Sequence, residues 1–133
     1  MLLGDDHIRA YRESDGEVGY IWNGVPTLLL TATGRRTGRK LTSPLIFARD
    51  GDDYLVVASM GGAPKHPLWY LNLQANPEAE IQVKAETLSV VARTASAAEK
   101  PRLWKIVTEV WPNYDVYQSR TDRDIPVVIL RPA

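Results

Sequence analysis

The stretch TLLLTATGRRTGRKLTSPLIFARDGDDYLVVAS, residues 27–59, decides the fold class. Thr27 to Thr33 is a strand-like run around Leu28, Leu29 and Leu30. Ser43 to Arg49 and Asp53 to Ser59 read as two more strands, joined by Asp50-Gly51-Asp52. Short β-rich runs separated by Asp/Gly turns indicate an antiparallel meander. The turn after the first run, Gly34 to Lys40, is basic and punctuated by glycine.

On the N-terminal side, Ile8, Ala10 and Tyr11 are the apolar members of a polar segment, Asp5 to Ser14. This predicts a short amphipathic helix, over about 5–15, closed by Asp15-Gly16. The aromatic patch Val18 to Trp22 precedes an Asn23-Gly24 turn. It fits either packing against the barrel or a surface that touches lipid or greasy substrate.

On the C-terminal side, Gly61-Gly62-Ala63-Pro64 breaks the chain, and Pro67 suits the first position of a helix that ends before Pro77. Helical spacing puts Trp69, Asn72, Leu73 and Asn76 on one side of it. Ala79 to Lys84 and Thr87 to Thr94 form a hairpin turning at Ala85-Glu86. Ser96 to Glu99 carries a capping-box signature. Leu103, Ile106, Val107 and Val110 then recur at helical spacing, and Trp111 to Tyr117 ends that helix. Ile125 to Leu130 is the last strand. About six strands with two longer helices predict an α+β, mainly β fold. The expected architecture is a small β-barrel with helical covers, as a single domain over residues 1–133.

The 133 residues include 16 basic and 16 acidic side chains and no cysteine. Zero net charge argues against non-specific nucleic-acid binding. The lack of cysteine excludes a disulfide framework, a thiolate metal site and a Cys nucleophile. His7 and His66 are far apart in sequence, so no dedicated zinc site is expected. No run approaches the 18 or so apolar residues that span a bilayer. Met1 to Asp6 lacks a basic leader, which fits a cytoplasmic protein.

Three segments carry chemistry. Between Gly34 and Arg49 lie Arg35, Arg36, Arg39, Lys40 and Arg49, with no acidic residue. Arginine forks suit phosphate or carboxylate, and glycines let backbone N–H groups approach a ligand; a solvated basic turn is the structural alternative. Ser59 to Pro67 places paired glycines between strand and helix, where a flat ligand could lie close to the backbone; the plain alternative is a connector. The amides of Asn72 and Asn76 beside Trp69 favour ligand contact. Trp111, Tyr114 and Tyr117, at three-residue steps, suit either packing or a wall over a planar substrate. No carboxylate pair is set for acid–base work, so an enzyme of this composition would borrow its chemistry from an organic cofactor.

Together these segments resemble the deazaflavin-dependent nitroreductase family of actinobacteria. The resemblance rests on Leu28 to Gly38, Pro44-Leu45, Ala58 to Pro64, Pro67 to Leu73, Asn76-Pro77, Trp111 to Ser119 and Arg123 to Val127. It implies a split β-barrel related to flavin reductases and pyridoxamine-phosphate-oxidase-like proteins. It also implies binding of coenzyme F420, with hydride passing to a quinone, nitroaromatic or enone acceptor.

On the family's matching positions, Arg35, Arg36, Thr37 and Gly38 hold the phosphate and tail carboxylates. Pro44, Ser59, Met60, Gly61, Gly62, Trp69 and Asn72 lie around the deazaflavin. Ser59, Trp111, Tyr114 and Tyr117 position the acceptor. Met60 stands where relatives often have lysine, and Trp111 where tyrosine is common; both bear on acceptor choice, nitroimidazoles included, more than on cofactor binding. The rival readings are an FMN-binding reductase on the same fold and a non-catalytic carrier of cofactor or lipid. A monomer or weak homodimer is expected, with peripheral membrane contact as an option.

Overall fold

The computed structural model describes residues 3–133. Among them are eight strands: β1 (Ile21–Trp22), β2 (Val25–Thr33), β3 (Lys40–Ile46), β4 (Ala48–Asp50), β5 (Asp53–Val57), β6 (Glu78–Val83), β7 (Glu86–Thr94) and β8 (Val127–Pro132). The helices are α1 (Gly4–Glu13), α2 (Leu68–Ala75), α3 (Lys100–Val110) and α4 (Asn113–Ser119), with a 3₁₀ turn at Met60–Gly62. All strand pairs are antiparallel, in the order β1-β2-β6-β7-β8-β5-β4, with β3 also paired to β2. The sheet curls into a half-barrel in which β2 is shared: Leu29 pairs with both Pro44 of β3 and Gln82 of β6.

Alternation along the strands divides the core in two. Leu28, Leu30, Tyr54, Val56, Ile81, Val128 and Leu130 fill the barrel. Leu55, Val57, Val127 and Ile129 point the other way, against Leu103 and Val107 of α3 and Tyr114 of α4. β5 and β8 are thus covered on both faces, which explains their unbroken apolar runs. A buried Leu or Val side chain contributes roughly 1.5–3 kcal/mol, so this two-sided burial makes the two strands the stable frame on which the site is mounted.

α1 is strapped down by Tyr11, fully buried. Its hydroxyl donates to the Thr27 carbonyl at 3.0 Å and accepts from the Lys84 N–H at 2.8 Å. His7 adds a hydrogen bond from Nε2 to the Gly19 carbonyl at 2.7 Å. The capping box forms as expected: Ser96 N–H donates to Glu99 at 3.0 Å, and Glu99 N–H donates to the Ser96 hydroxyl at 3.2 Å. It closes a turn that leads into α3.

The structure corrects several boundaries. The expected strand over 43–49 is two, β3 starting earlier at Lys40 and β4 following Phe47. The 53–59 strand stops at Val57, and the last strand runs Val127–Pro132 rather than 125–130. Pro67 is the cap before α2, with extended ψ of 152°, not its first helical residue. Trp111 to Tyr117 does not merely end α3: after Pro112 the chain re-enters a helix, α4. No helix among the described residues is long and apolar enough to cross a membrane.

Candidate active site

A cavity of about 390 Å³ opens where the barrel rim, the 3₁₀ turn and α4 meet. Pro44, Leu45 and Ile46 of β3 form one wall, Ser59, Met60, Gly61 and Pro67 a ledge, and Trp111, Tyr114 and Tyr117 another wall. Trp69 stands at the α2 side. Of the residues singled out in the sequence, the structure brings Pro44, Ser59, Met60, Gly61, Trp69, Trp111, Tyr114 and Tyr117 together around one space.

The ledge is shaped by left-handed backbone: φ is +46° at Met60, +65° at Gly61 and +85° at Gly62. Gly61 has open space where a Cβ would stand, so it leaves the ledge flat. Gly62 also packs against the protein itself. A Cβ on it would lie 2.6 Å from the Tyr117 carbonyl oxygen, so it lets the ledge lie directly against α4. The Ser59 hydroxyl has no hydrogen-bond partner among the described residues, though its side chain is not sealed off.

On the opposite wall, the Trp111 indole N–H donates to the Tyr117 hydroxyl at 3.3 Å. The N–H that tryptophan brings is therefore engaged, which leaves the Tyr117 proton free to donate. Tyr114 is 5% exposed, and its hydroxyl meets no hydrogen-bond partner among the described residues while opening on the cavity. Burial, reinforced by Tyr117, pushes its phenol well above the usual range, so it stays a protonated donor.

The basic turn does not line this cavity. It sits past α2, held by a closed backbone: Gly34 N–H donates to the Arg39 carbonyl at 2.7 Å, and Gly38 N–H to the Gly34 carbonyl at 2.9 Å. Asn72, buried, points Oδ1 at this turn, accepting from Arg35 N–H at 3.1 Å and from the Arg35 guanidinium at 3.3 Å. Asn72 is thus the bracket between α2 and the turn, rather than a lining residue of the cavity. Asn76 likewise bonds protein, accepting from Glu78 N–H at 3.2 Å. Among the described residues, Arg35, Arg36, Arg39 and Lys40 form no ion pair, although five other cations do. Arg36 and Thr37 are exposed.

Sequence reasoning missed several contributors, among them Trp22, His7 and Arg123. Trp22 of the aromatic patch lines the cavity, its ring 6.0 Å from that of Trp111. His7 lines it from α1. Arg123 grips the ledge from behind, through partners about 60 residues earlier that no local pattern could reveal.

An apolar slot with phenol donors, beside a cationic turn and on a curled antiparallel sheet, marks a split-barrel reductase. Comparison with known proteins turns that class into a family. The sequence pattern of the F420H(2)-dependent quinone reductase family matches residues 5–132, and the chain belongs to that family. It is 47% identical over 128 residues to an F420H(2)-dependent quinone reductase of Mycobacterium tuberculosis, covering 93% of this chain and 86% of the relative. A solved F420-H2 dependent reductase is 41% identical, covering 80% of this chain and 94% of that one, with a TM-score of 0.74. Another solved structure, described as a domain-swapped dimer, is 36% identical over 95% of this chain and 98% of that one, with a TM-score of 0.77. The fold extends to distant split barrels, such as a heme binding protein of Mycobacterium smegmatis at 17% identity and a TM-score of 0.62, covering 99% of this chain and 53% of that one.

Proposed function

We propose that the cavity takes the deazaflavin ring of coenzyme F420 against the Ser59–Gly61 ledge and a flat quinone against Trp111, Tyr114 and Tyr117. The observation that carries this reading is a turn of four cations without acidic partners, bracketed by Asn72 to the helix whose Trp69 lines the cavity. A ring in the slot and an anionic tail running past α2 would match both parts. Four cations exceed what one phosphate needs, which favours a polyanionic tail over FMN.

When bound, the reduced cofactor supplies a hydride. The chain's own residues do the rest. Pro44, Leu45 and the three tryptophans Trp22, Trp69 and Trp111 exclude water from a flat acceptor. The hydroxyls of Tyr114 and Tyr117 donate to the acceptor oxygen on which negative charge grows, the interaction that lowers the barrier. Holding the acceptor in register removes the entropy of a bimolecular encounter. The quinone gains two electrons and one proton in the hydride, and the second proton comes from solvent or a phenol. Nitroaromatics and enones, which also develop charge on oxygen, are alternative acceptors. The swapped dimer formed by a relative supports self-association of this chain.

The test is anaerobic mixing of the protein with reduced F420 and a soluble quinone. Quinone-dependent oxidation of the cofactor, absent without protein, is expected. No oxidation above the protein-free control would rule the reading out.

A further inference from the structure

Arg123, in the link between α4 and β8, has no carboxylate partner among the described residues and is only partly exposed. Its Nε donates to the Ala63 carbonyl at 2.8 Å, Nη1 to the Ala58 carbonyl at 3.1 Å, and Nη2 to the Ser59 carbonyl at 2.8 Å. Nη1 also lies 3.1 Å from His66 Nδ1, which must accept because a guanidinium only donates. Burial and the nearby Arg123 charge lower the His66 pKa, which keeps that acceptor neutral. These partners flank the Met60–Gly62 turn on both sides. A second arginine, Arg120, reaches the Gly61 carbonyl at 3.4 Å and stands 5.7 Å from the Tyr117 ring. Behind the turn, Gly62 touches the Tyr117 backbone.

The glycine ledge and the tyrosine wall therefore meet back to back, and one side chain ties both arms of the ledge to the segment that leaves α4. We propose that Arg123 is a positioning residue: its four hydrogen bonds fix the ledge against α4 and so set the gap across the cavity. The inference rests on the reading above, in which the ledge serves the cofactor and the wall the acceptor. A misplacement of about 1 Å can cost on the order of a hundredfold in rate. Lysine, a single point charge on a flexible stem, cannot reproduce a fork with this many bonds.

Two readouts test it. In cofactor-free protein, amide exchange at Gly62 and Ala63, whose N–H groups bond Ser59 and Met60 carbonyls, should quicken at least about tenfold in Arg123→Lys while β5 and β8 amides keep their protection. This readout does not depend on which cofactor binds. In steady state, Arg123→Lys and Arg123→Gln should lose about tenfold or more in kcat, a larger loss than that in F420 affinity because the basic turn is untouched. Millimolar guanidinium should restore part of kcat to Arg123→Ala. Unchanged exchange at Gly62 and Ala63, or folded variants that keep wild-type kcat, would overturn the inference. So would a loss confined to KM. A wild-type protein that fails to oxidise reduced F420 while the exchange result holds would sink the functional reading and leave the clamp standing.

Discussion

In the proposed reading Tyr114 is the residue on which the chemistry turns, because its ring is buried while its hydroxyl opens on the cavity and meets no hydrogen-bond partner among the described residues. Tyr114→Phe removes that oxygen and little else. Turnover with a quinone should fall about a hundredfold, the lower end of the range for loss of a donor to developing charge, with cofactor affinity retained. Steady-state kinetics beside a cofactor titration check this; equal kcat would return Tyr114 to a packing role. Gly61 and Gly62 supply a contrast at the same scale. Alanine at either meets left-handed backbone, costing roughly 1–2 kcal/mol. Only at Gly62 does the new methyl also strike the Tyr117 carbonyl, 2.6 Å away. Urea denaturation should show Gly62→Ala clearly less stable than Gly61→Ala; equal losses would mean that the ledge and α4 are not in firm contact.

Among the elements, those announced by local chemistry were legible in the sequence. The Asp50-Gly51-Asp52 turn announced one hairpin, and Ser96 with Glu99 announced the entry to α3. The expected Ala85-Glu86 turn fell one residue past the observed Lys84-Ala85 turn of the next hairpin, since Glu86 already pairs with Val83. α4 was not legible, because Pro112 after a helix reads as a stop, whereas here it precedes a fresh helical start. Glu99 also makes the α3 entry sensitive to acid. Its carboxyl is held at about 2, first by the Arg93 guanidinium and then by the Ser96 N–H. A folded pKa below the unfolded value contributes stability that is present above about 4.5 and is lost as pH falls toward about 2. Urea midpoints measured across that window should drop more steeply for wild type than for Glu99→Gln. Parallel curves would mean that the Arg93–Glu99 pair is too exposed to count.

At the scale of the whole molecule, β5 and β8, clothed on both faces, form the frame, and the cavity lies where three peripheral pieces lean on it: the rim of β3, the ledge after β5, and α4. Sequence named eight of the seventeen residues that line the cavity, because the ledge glycines and the aromatic trio are local patterns. It could not show the protein contacts of Asn72 and Gly62, whose partners Arg35 and Tyr117 come from distant parts of the chain. It missed Arg123 for the same reason. The central claim, that an unpaired cationic turn and an apolar slot together hold a polyanionic deazaflavin, is tested most directly by fluorescence titration of F420 and of FMN. Wild type and the Arg35→Ala/Arg36→Ala double variant are compared at low and high salt. F420 should bind more tightly than FMN, weaken as salt screens the exposed turn, and lose on the order of 1–3 kcal/mol in the double variant. FMN binding as tightly as F420, or a double variant with wild-type F420 affinity at low salt, would contradict it.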